Sequence, residues 1–313
     1  MARASISAVV MTLNEERNIE FCLRSVRTWC DEIVVLDMFS DDATPEIARR
    51  YADVFLTHQR IESFDAGRKK AFDNASGDWI FSLDADEVAT PELAEWITSF
   101  VESDPEYDVA LIPRANVFLG RWIRSSGWWP GKSRLFRRGA IEVSAKLHRG
   151  LVPREGARIC RLPRSPKLAL WHFTRLSVAA MVDKTNRYTT IEARQALAEG
   201  RAKVSAFQLM YQPLATFAVF LRRRGYRDGM AGLAWVVDRA YYRWLSLVKR
   251  WDESEVDKRP AEYDRQREEI VARFAPAGPP VTGQPPAPTD LVDVGVDGLD
   301  VADGLDVGAR VDG

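Results

Sequence analysis

The stretch Gly77-Asp78-Trp79-Ile80-Phe81-Ser82-Leu83-Asp84-Ala85-Asp86-Glu87 decides the fold. Its short apolar run predicts a buried strand over Trp79–Asp84, and the Thr90-Pro91-Glu92 signal that follows predicts the start of a helix. Ligands of open parallel sheets bind beyond the carboxyl ends of the strands, where Asp84 and Asp86 fall. A pair of carboxylates there suits a divalent metal that also binds substrate phosphates. The stretch therefore predicts a metal and phosphate site.

Strands and helices alternate on both sides of this stretch. This alternation predicts an α/β fold with a mostly parallel sheet and right-handed crossovers. The predicted strands are Ser5–Met11, Glu32–Asp37, Asp53–Thr57, Trp79–Asp84 and Tyr107–Pro113, with a further short one at Ser133–Arg137. The predicted helices are Arg17–Trp29, Pro45–Tyr51, Ala66–Ala75, Pro91–Val101 and Leu176–Leu197.

Two more polar clusters follow strand ends and should share one sheet edge with Asp84. Thr12-Leu13-Asn14-Glu15 follows the first strand, and Asp37 ends the second. Such a crowd of carboxylates is costly unless a cation or hydrogen-bond donors share the site. Two interpretations of Asp37 stay open, a bond to nearby backbone or a bond from a nucleobase N–H. Glu15 either contributes to the site or only helps to start the next helix.

The chain after residue 200 has a different character. Val204–Leu221 has no charged residue, but it contains Pro213 and is short for a membrane-spanning helix, so we expect a buried or interfacial helix. A basic cluster, Arg222–Arg224, follows it. The next predicted helix, Met230–Trp251, is amphipathic, and it either packs on the catalytic domain or contacts a membrane. Its apolar face consists of Leu233, Val237, Tyr241, Trp244, Val248 and Trp251.

Composition divides the chain into three parts. Residues 1–200 are predicted to form the catalytic domain, residues 201–274 a helical extension that associates with membranes, and residues 275–313 a disordered tail. The tail is rich in Pro, Gly and Asp and has no aromatic residue, so it cannot bury a core. The three cysteines form no paired pattern, which favours a reducing cytoplasm over a disulfide framework, and a Cys/His zinc site is not expected.

The motifs named above, together with several later ones, resemble the family-two glycosyltransferases with the GT-A fold. The similar branch is the lipopolysaccharide-core β-glucosyltransferase type, and the resemblance runs from about Ile6 to Trp251. Its later landmarks are Gly127-Trp128-Trp129-Pro130, Ser133-Arg134-Leu135-Phe136-Arg137-Arg138, Lys146-Leu147-His148 and Lys184-Thr185-Asn186-Arg187-Tyr188. The resemblance implies a nucleotide-sugar donor, with a UDP-sugar favoured, and inversion at the anomeric carbon.

The same resemblance implies roles for particular residues. The implied donor-binding positions are Thr12, Glu15, Asp37, Arg68 and Asp84, and the implied ligands of a manganese or magnesium ion are Asp84, Asp86 and His172. An alternative for His172 is a half-buried histidine beside Trp171. The implied acceptor is a cell-envelope glycan or a lipid-linked glycan at the cytoplasmic face of the membrane. An anionic membrane surface is a further expected partner, and nucleic acid is not.

Two departures from the family pattern bear on the catalytic base. Gly131 stands where the branch often has an acidic residue, and Arg149 follows His148 where the branch usually has Glu. Inversion needs a base across the sugar from the diphosphate, and we rank His148 first, Glu142 second and Glu87 third.

Two rival functions use other features of such a sheet. A sugar nucleotidyltransferase would need a glycine-rich loop after the first strand, and residues 11–15 contain no glycine. The same absence disfavours a dinucleotide-dependent dehydrogenase. A catalytically inactive protein that binds sugar nucleotides is the second alternative, and both departures in the acceptor half keep it open.

Overall fold

The computed structural model describes residues 3–60, 65–125, 129–143, 150–201 and 203–274. The strands are β1 Ile6–Thr12, β2 Glu32–Asp37, β3 Val54–Thr57, β4 Trp79–Asp84, β5 Glu87–Ala89, β6 Val109–Phe118, β7 Arg121–Trp122, β8 Gly131–Arg137, β9 Ile141–Val143, β10 Leu151–Pro153, β11 Ile159–Arg161 and β12 Leu170–Thr174. The α-helices are α1 Ile19–Arg24, α2 Thr44–Arg49, α3 Asp65–Asp73, α4 Pro91–Glu102, α5 Val178–Ala198, α6 Ala206–Arg222, α7 Gly229–Glu255 and α8 Arg259–Val271.

The main sheet has the strand order β3-β2-β1-β4-β8-β6-β12-β5. The first four strands are parallel, as the alternation of strands and helices predicts. Beyond β4 the sheet is mixed, because β8 runs antiparallel to both β4 and β6, and β5 runs antiparallel to β12. The structure confirms the predicted α/β fold class, in which helices flank the sheet and a helical extension follows it.

Helices on both faces bury the first strand completely. Ile6, Ala8 and Val10 pack in a core with α1 and α4. Val9 and Met11 point the other way, into a second core with α3. A strand that is covered on both faces must be apolar along its whole length, which is why the run from Ile6 contains no charge.

Elements differ from their predicted bounds in two instructive places. The strand predicted to end at Pro113 continues to Phe118, because the chain first reverses at Leu119 and Gly120, which both have positive φ angles of 47° and 73°. The predicted first helix is regular only over Ile19–Arg24, and hydrogen-bonded turns continue from there to about Cys30.

The helices after the sheet lie in the same compact unit as the sheet, and this unit ends at Arg259. One face of α7 packs near the β6–β7 turn, where Ala231 joins Phe118 and Ile123 in a small core. A second unit begins at Pro260, and its described part is mostly α8. Across the described ranges, no helix combines the length and the apolar character that crossing a membrane requires. The predicted disordered tail lies outside the described residues, and the predicted boundary at residue 200 stays a prediction.

Candidate active site

Asp84 ends β4 among arginines that come from three different elements. Its Oδ1 atom lies 2.8 Å from Nη2 of Arg68 in α3, and its Oδ2 atom lies 2.6 Å from Nη2 of Arg134 in β8. Nη1 of Arg114 in β6 is 4.0 Å from Oδ2. Burial alone would raise the pKa of Asp84, but the three guanidinium charges outweigh it and hold that pKa well below its usual value. Asp84 is therefore an ionised carboxylate whose oxygens face arginines.

Glu87, the third candidate base, is fully buried in β5 at 0% exposure. Its Oε1 atom lies 2.6 Å from Nη2 of Arg134 and 3.4 Å from Nη1 of Arg114. Its Oε2 atom accepts the backbone N–H of Asp84 at 3.1 Å. A general base must reach the proton that it removes, and this carboxylate has no surface to offer a substrate. Glu87 as the base stays a prediction, and the structure shows it buried and bonded to Arg134 and to the backbone of Asp84.

Asp86 lies beside His172, two residues beyond Asp84. Nε2 of His172 is 3.1 Å from Oδ2 of Asp86. Nδ1 of the same ring is 2.8 Å from Oδ1 of Asn116, and an amide oxygen only accepts, so Nδ1 carries a proton and donates it. Sheet register fixes the contact, because β12 places His172 opposite Asn116 of β6 and Glu87 of β5. His172 is thus held with Nε2 directed at Asp86.

The fit of this pair to a metal ion follows from the donor atoms. Within the described ranges, no three carboxylate, imidazole or thiol groups lie close enough together to form a metal cluster, since Asp84 faces the arginines instead. A carboxylate and an imidazole suit a hard divalent cation that takes its other ligands from phosphate and water. An imidazole ligand usually donates its second N–H to an oxygen, as His172 does to Asn116. Asp86 and His172 therefore fit manganese or magnesium, whereas the carboxylate oxygens of Asp84 contact Arg68 and Arg134, and its role as a metal ligand stays a prediction.

A second polar group lies at the ends of β1 and β2. Thr12 and Asp37 are register partners, with exposures of 0% and 2%. Both carboxylate oxygens of Asp37 accept hydrogen bonds from Ser40, one from the backbone N–H at 3.0 Å and one from the hydroxyl at 2.6 Å. The buried Oγ1 atom of Thr12 has no hydrogen-bond partner among the described residues. A buried hydroxyl without a partner is costly, so Thr12 marks a position that a polar ligand or water would satisfy.

Glu15 connects this group to the Asp86 pair. Its Oε2 atom accepts a hydrogen bond from Nδ2 of Asn18 at 2.7 Å, and its backbone N–H donates to Oγ1 of Thr44 at 2.8 Å. Burial, together with the charge of Asp86, raises the pKa of Glu15 to about 7, and the charge of Lys184 in α5 opposes that rise. Both open interpretations of Glu15 are thus compatible with the structure, because it lies at a helix start and also close to Asp86.

The structure describes one of the two leading candidates for the base. Glu142 is exposed in β9, where it pairs with Val152 of β10. His148 lies outside the described residues. The backbone at Gly150, just before β10, lies near Arg68, since a side-chain carbon added there would be 3.9 Å from Nη1. Both base candidates therefore stay predictions.

Sequence analysis missed the polar residues of the later strands. Arg114 and Asn116 lie two apart in β6, and Lys132 and Arg134 lie two apart in β8. Burial, together with the charges of Arg114 and Arg134, lowers the pKa of Lys132. Residues two apart in a strand point to one face of a sheet, and in the mostly apolar β6 this spacing of Arg114 and Asn116 could have identified them.

A cavity of about 400 Å³ is lined by Asp86. Arg17, which precedes α1, Phe21 of α1 and residues 173–176 at the end of β12 also line it. Val88 of β5 and Val117 of β6 contribute from the sheet. Thr12, Asp37 and Asp84 are not among its lining residues, so Asp86 is the carboxylate that borders the cavity.

Comparisons with known proteins agree with the motifs. Residues 7–148 match the family described as Glycosyl transferase family 2. The lipopolysaccharide core biosynthesis glycosyltransferase LpsC of Rhizobium meliloti is 26% identical over 263 residues, which cover 82% of this chain and 95% of LpsC. An uncharacterized glycosyltransferase of Rickettsia felis is 25% identical over 258 residues, 78% of this chain and 88% of that protein. The crystal structure of Staphylococcus aureus TarS 1–349 aligns with a TM-score of 0.41 at 16% identity, over 82% of this chain and 92% of TarS.

Proposed function

The chain is a glycosyltransferase with a family 2 domain, and from this premise we propose that it transfers a sugar, with inversion, from a nucleotide-diphosphate donor to a cell-envelope acceptor. A UDP-sugar is the favoured donor. The observation that carries the proposal is the juxtaposition of Asp86 with His172 beyond β4, next to the arginines around Asp84. Carboxylate, imidazole and guanidinium groups together suit a diphosphate leaving group and its cation.

Manganese or magnesium is the proposed cofactor, held by Asp86 and His172. When bound, such a cation neutralises the charge that develops on the departing diphosphate. Asn116 accepts the N–H at Nδ1 of His172, and Nε2 would then be the nitrogen that holds the cation. Asp84 would accept hydrogen bonds from the donor's ribose while Arg68 and Arg134 keep its carboxylate ionised.

The nucleotide is proposed to lie at the ends of β1 and β2. Thr12 offers a buried hydroxyl without a partner among the described residues, and it lies opposite Asp37 in the register of the two strands. Each carboxylate oxygen of Asp37 accepts one bond from Ser40 and has capacity for another, so a nucleobase N–H can bind there as well. Glu15 is close enough to Asp86 for the charge of Asp86 to raise its pKa.

The test of the function is a donor screen that is followed by a transfer assay. We expect one nucleoside diphosphate sugar, in the presence of manganese, to raise the melting temperature, since ligands stabilise the state that binds them. The same donor should then be hydrolysed slowly or transferred. His148→Ala and Glu142→Ala separate the two candidate bases, because the true base loses about 10²-fold or more in transfer and still binds donor. Nucleotide binding without any turnover would instead favour the inactive binding protein.

We also propose peripheral contact with an anionic membrane, through a surface formed by α6 and α7. The apolar stripe of α7 predicted from the sequence is exposed in the structure, with Leu233, Val237, Tyr241, Trp244 and Trp251 each at 40% or more. A second exposed row runs along α6 at helical spacing and consists of Phe207, Met210, Tyr211, Leu214 and Leu221. Arg222, Arg223 and Arg224 are exposed at the end of α6.

Charge favours lipid over a second copy of the chain as the partner of this surface. Between Arg201 and Trp251 the acidic residues are Asp228 and Asp238, and neither one is exposed. Asp252, Glu253 and Glu255 follow at the end of α7, and each is half-buried. Asp228 accepts backbone N–H groups of residues 124 and 125, and Asp238 binds Thr185 and Arg175. Two copies of the surface would thus bring like charges together, whereas anionic headgroups would neutralise them.

Replacement of Arg222, Arg223 and Arg224 by alanine should weaken binding to vesicles of phosphatidylcholine and phosphatidylglycerol. Each arginine near such a surface contributes about 1 kcal/mol, so the partition coefficient should fall by about 10²-fold. Co-sedimentation at low and high salt measures it, and salt should weaken the wild-type contact. The matched control is alanine at the exposed Arg24, Arg49 and Arg50, which changes net charge equally. If both triple variants lose vesicle binding equally, the surface of α6 and α7 is not a specific membrane-binding surface.

A further inference from the structure

We propose that the cavity beside Asp86 is the acceptor site and that its ligand is an anionic amphiphile, a lipid-linked acceptor and not a free glycan. This inference rests on the proposed transferase function and selects one of its two acceptor classes. Its observations are the position of the cavity, the apolar character of its walls and the two arginines that line it.

Position is the first argument. The residues proposed to bind the donor, namely Thr12, Asp37 and Asp84, do not line the cavity, but Asp86 does. A ligand in the cavity would therefore lie beside Asp86 without occupying Thr12, Asp37 or Asp84. An acceptor has to be held close to the reacting groups in this way while the donor is bound.

The walls indicate what kind of acceptor fits. Val88 and Val117 line the cavity from the sheet. Phe21, Phe173 and Leu176 also line it and are 59%, 45% and 71% exposed. Large apolar side chains that remain this exposed around a concave surface mark a binding site, and a free, fully polar glycan would leave them in contact with water. A lipid or another apolar group would cover them.

Two arginines add the preference for an anion. Arg17 is exposed just before α1, and Arg175 follows β12. Nε of Arg175 is buried and has no hydrogen-bond partner among the described residues, although Nη2 lies 3.7 Å from Asp238. Arg175 also has a φ angle of 59°, a strained value for a residue with a side chain, and its carbonyl accepts the N–H of Leu119. Such strain often accompanies functional sites.

The cavity also adjoins the start of the proposed membrane surface. Gly120 lines the cavity, and its neighbour Leu119 packs with Ala231 of α7 in one small core. Asp228, immediately before α7, binds the backbone N–H groups of residues 124 and 125 in the same region. An acceptor anchored in a membrane would therefore reach the cavity over a short distance.

The experiment measures the affinity of three probes by calorimetry on the full chain. Dodecyl phosphate, below its micellar concentration, represents the anionic amphiphile, dodecyl maltoside the neutral one and inorganic phosphate the anion alone. We expect dodecyl phosphate to bind most tightly. Phe21→Ser and Arg17→Gln should each weaken it by about tenfold, the effect of losing one apolar contact or one charged contact. Binding of UDP with manganese should not change in either variant.

The control is Ile270→Ser, which removes an apolar side chain of α8 that is 57% exposed, close to the 59% of Phe21. If this variant loses dodecyl phosphate as Phe21→Ser does, the probe only adsorbs to apolar surface and the acceptor site is refuted. Equal affinity for dodecyl maltoside would refute the anionic preference, and equal affinity for inorganic phosphate would refute the lipid. If the proposed transferase function is itself wrong, the wild-type protein should not bind UDP with manganese, and this result is distinct from the other outcomes.

Discussion

Asp86→Asn is expected to lower sugar transfer by about 10³-fold while the protein stays folded. Asparagine keeps the shape of the side chain and can still bond to His172, but it removes the negative charge that binds the cation. Losing one preorganised group that stabilises developing charge costs about 10²–10³-fold, and a lost cation removes the whole of its stabilisation. Steady-state transfer with the donor found by thermal shift measures the effect, and circular dichroism reports the fold.

Two variants make this result specific to the metal. Asp73→Asn makes the same chemical change at an exposed position in α3, paired only with Lys69, and should transfer normally. Asn116→Ala removes the acceptor of the His172 N–H and should lower manganese affinity by about 10–100-fold. Unchanged manganese affinity in Asn116→Ala would mean that Asn116 does not orient the ligand. Near-normal transfer by Asp86→Asn, or by the wild type with excess chelator, would contradict the metal-dependent mechanism.

The sequence predicts which strand ends meet at the first part of the candidate site, because the strands there follow one another in the chain and pair in parallel. β1, β2 and β4 are adjacent and parallel, so their carboxyl ends meet at one edge, and Thr12, Asp37 and Asp84 had to come together. Apolar runs and capping signals identify these elements locally. The Thr90 cap, for example, accepts the N–H of Leu93 as predicted.

The later half of the site depends on pairings between distant strands that no local pattern encodes. Asn116 meets His172 only because β6 and β12 pair in parallel, 56 residues apart. Glu87 resembles a helix-start residue in the sequence, yet the pairing of β5 with β12 buries it in the sheet. The exposure of the α7 stripe was also undecided, since periodicity shows that a helix has an apolar face but not what covers that face.

Arg134→Met is expected to destabilise the fold by about 3–5 kcal/mol, the usual cost of breaking a buried ion pair on one side. Arg134 is 5% exposed and lies 2.6 Å from both Glu87 and Asp84. Burial lowers the pKa of Arg134, but the charges of Asp84 and Glu87 outweigh that effect and raise it, so Arg134 is positively charged. Methionine fills similar volume but leaves Glu87 with Arg114 at 3.4 Å as its nearest cation. Urea unfolding measures the loss.

Three comparison variants show whether charge, and not packing, is responsible. Arg134→Lys keeps the charge, so its free energy of unfolding should fall clearly less than that of Arg134→Met. Arg137 lies three residues further along β8 and pairs with Asp104, whose side chain is 87% exposed. Because exposed ion pairs contribute little, Arg137→Met should lower the free energy of unfolding by at most about 1 kcal/mol. Glu87→Gln combined with Arg134→Met removes the uncompensated buried charge, so the double variant should be more stable than Arg134→Met alone. If the losses in the free energy of unfolding of the two single variants instead add up in the double variant, packing and not charge holds the cluster together. The electrostatic explanation for the position of Asp84 would then be wrong.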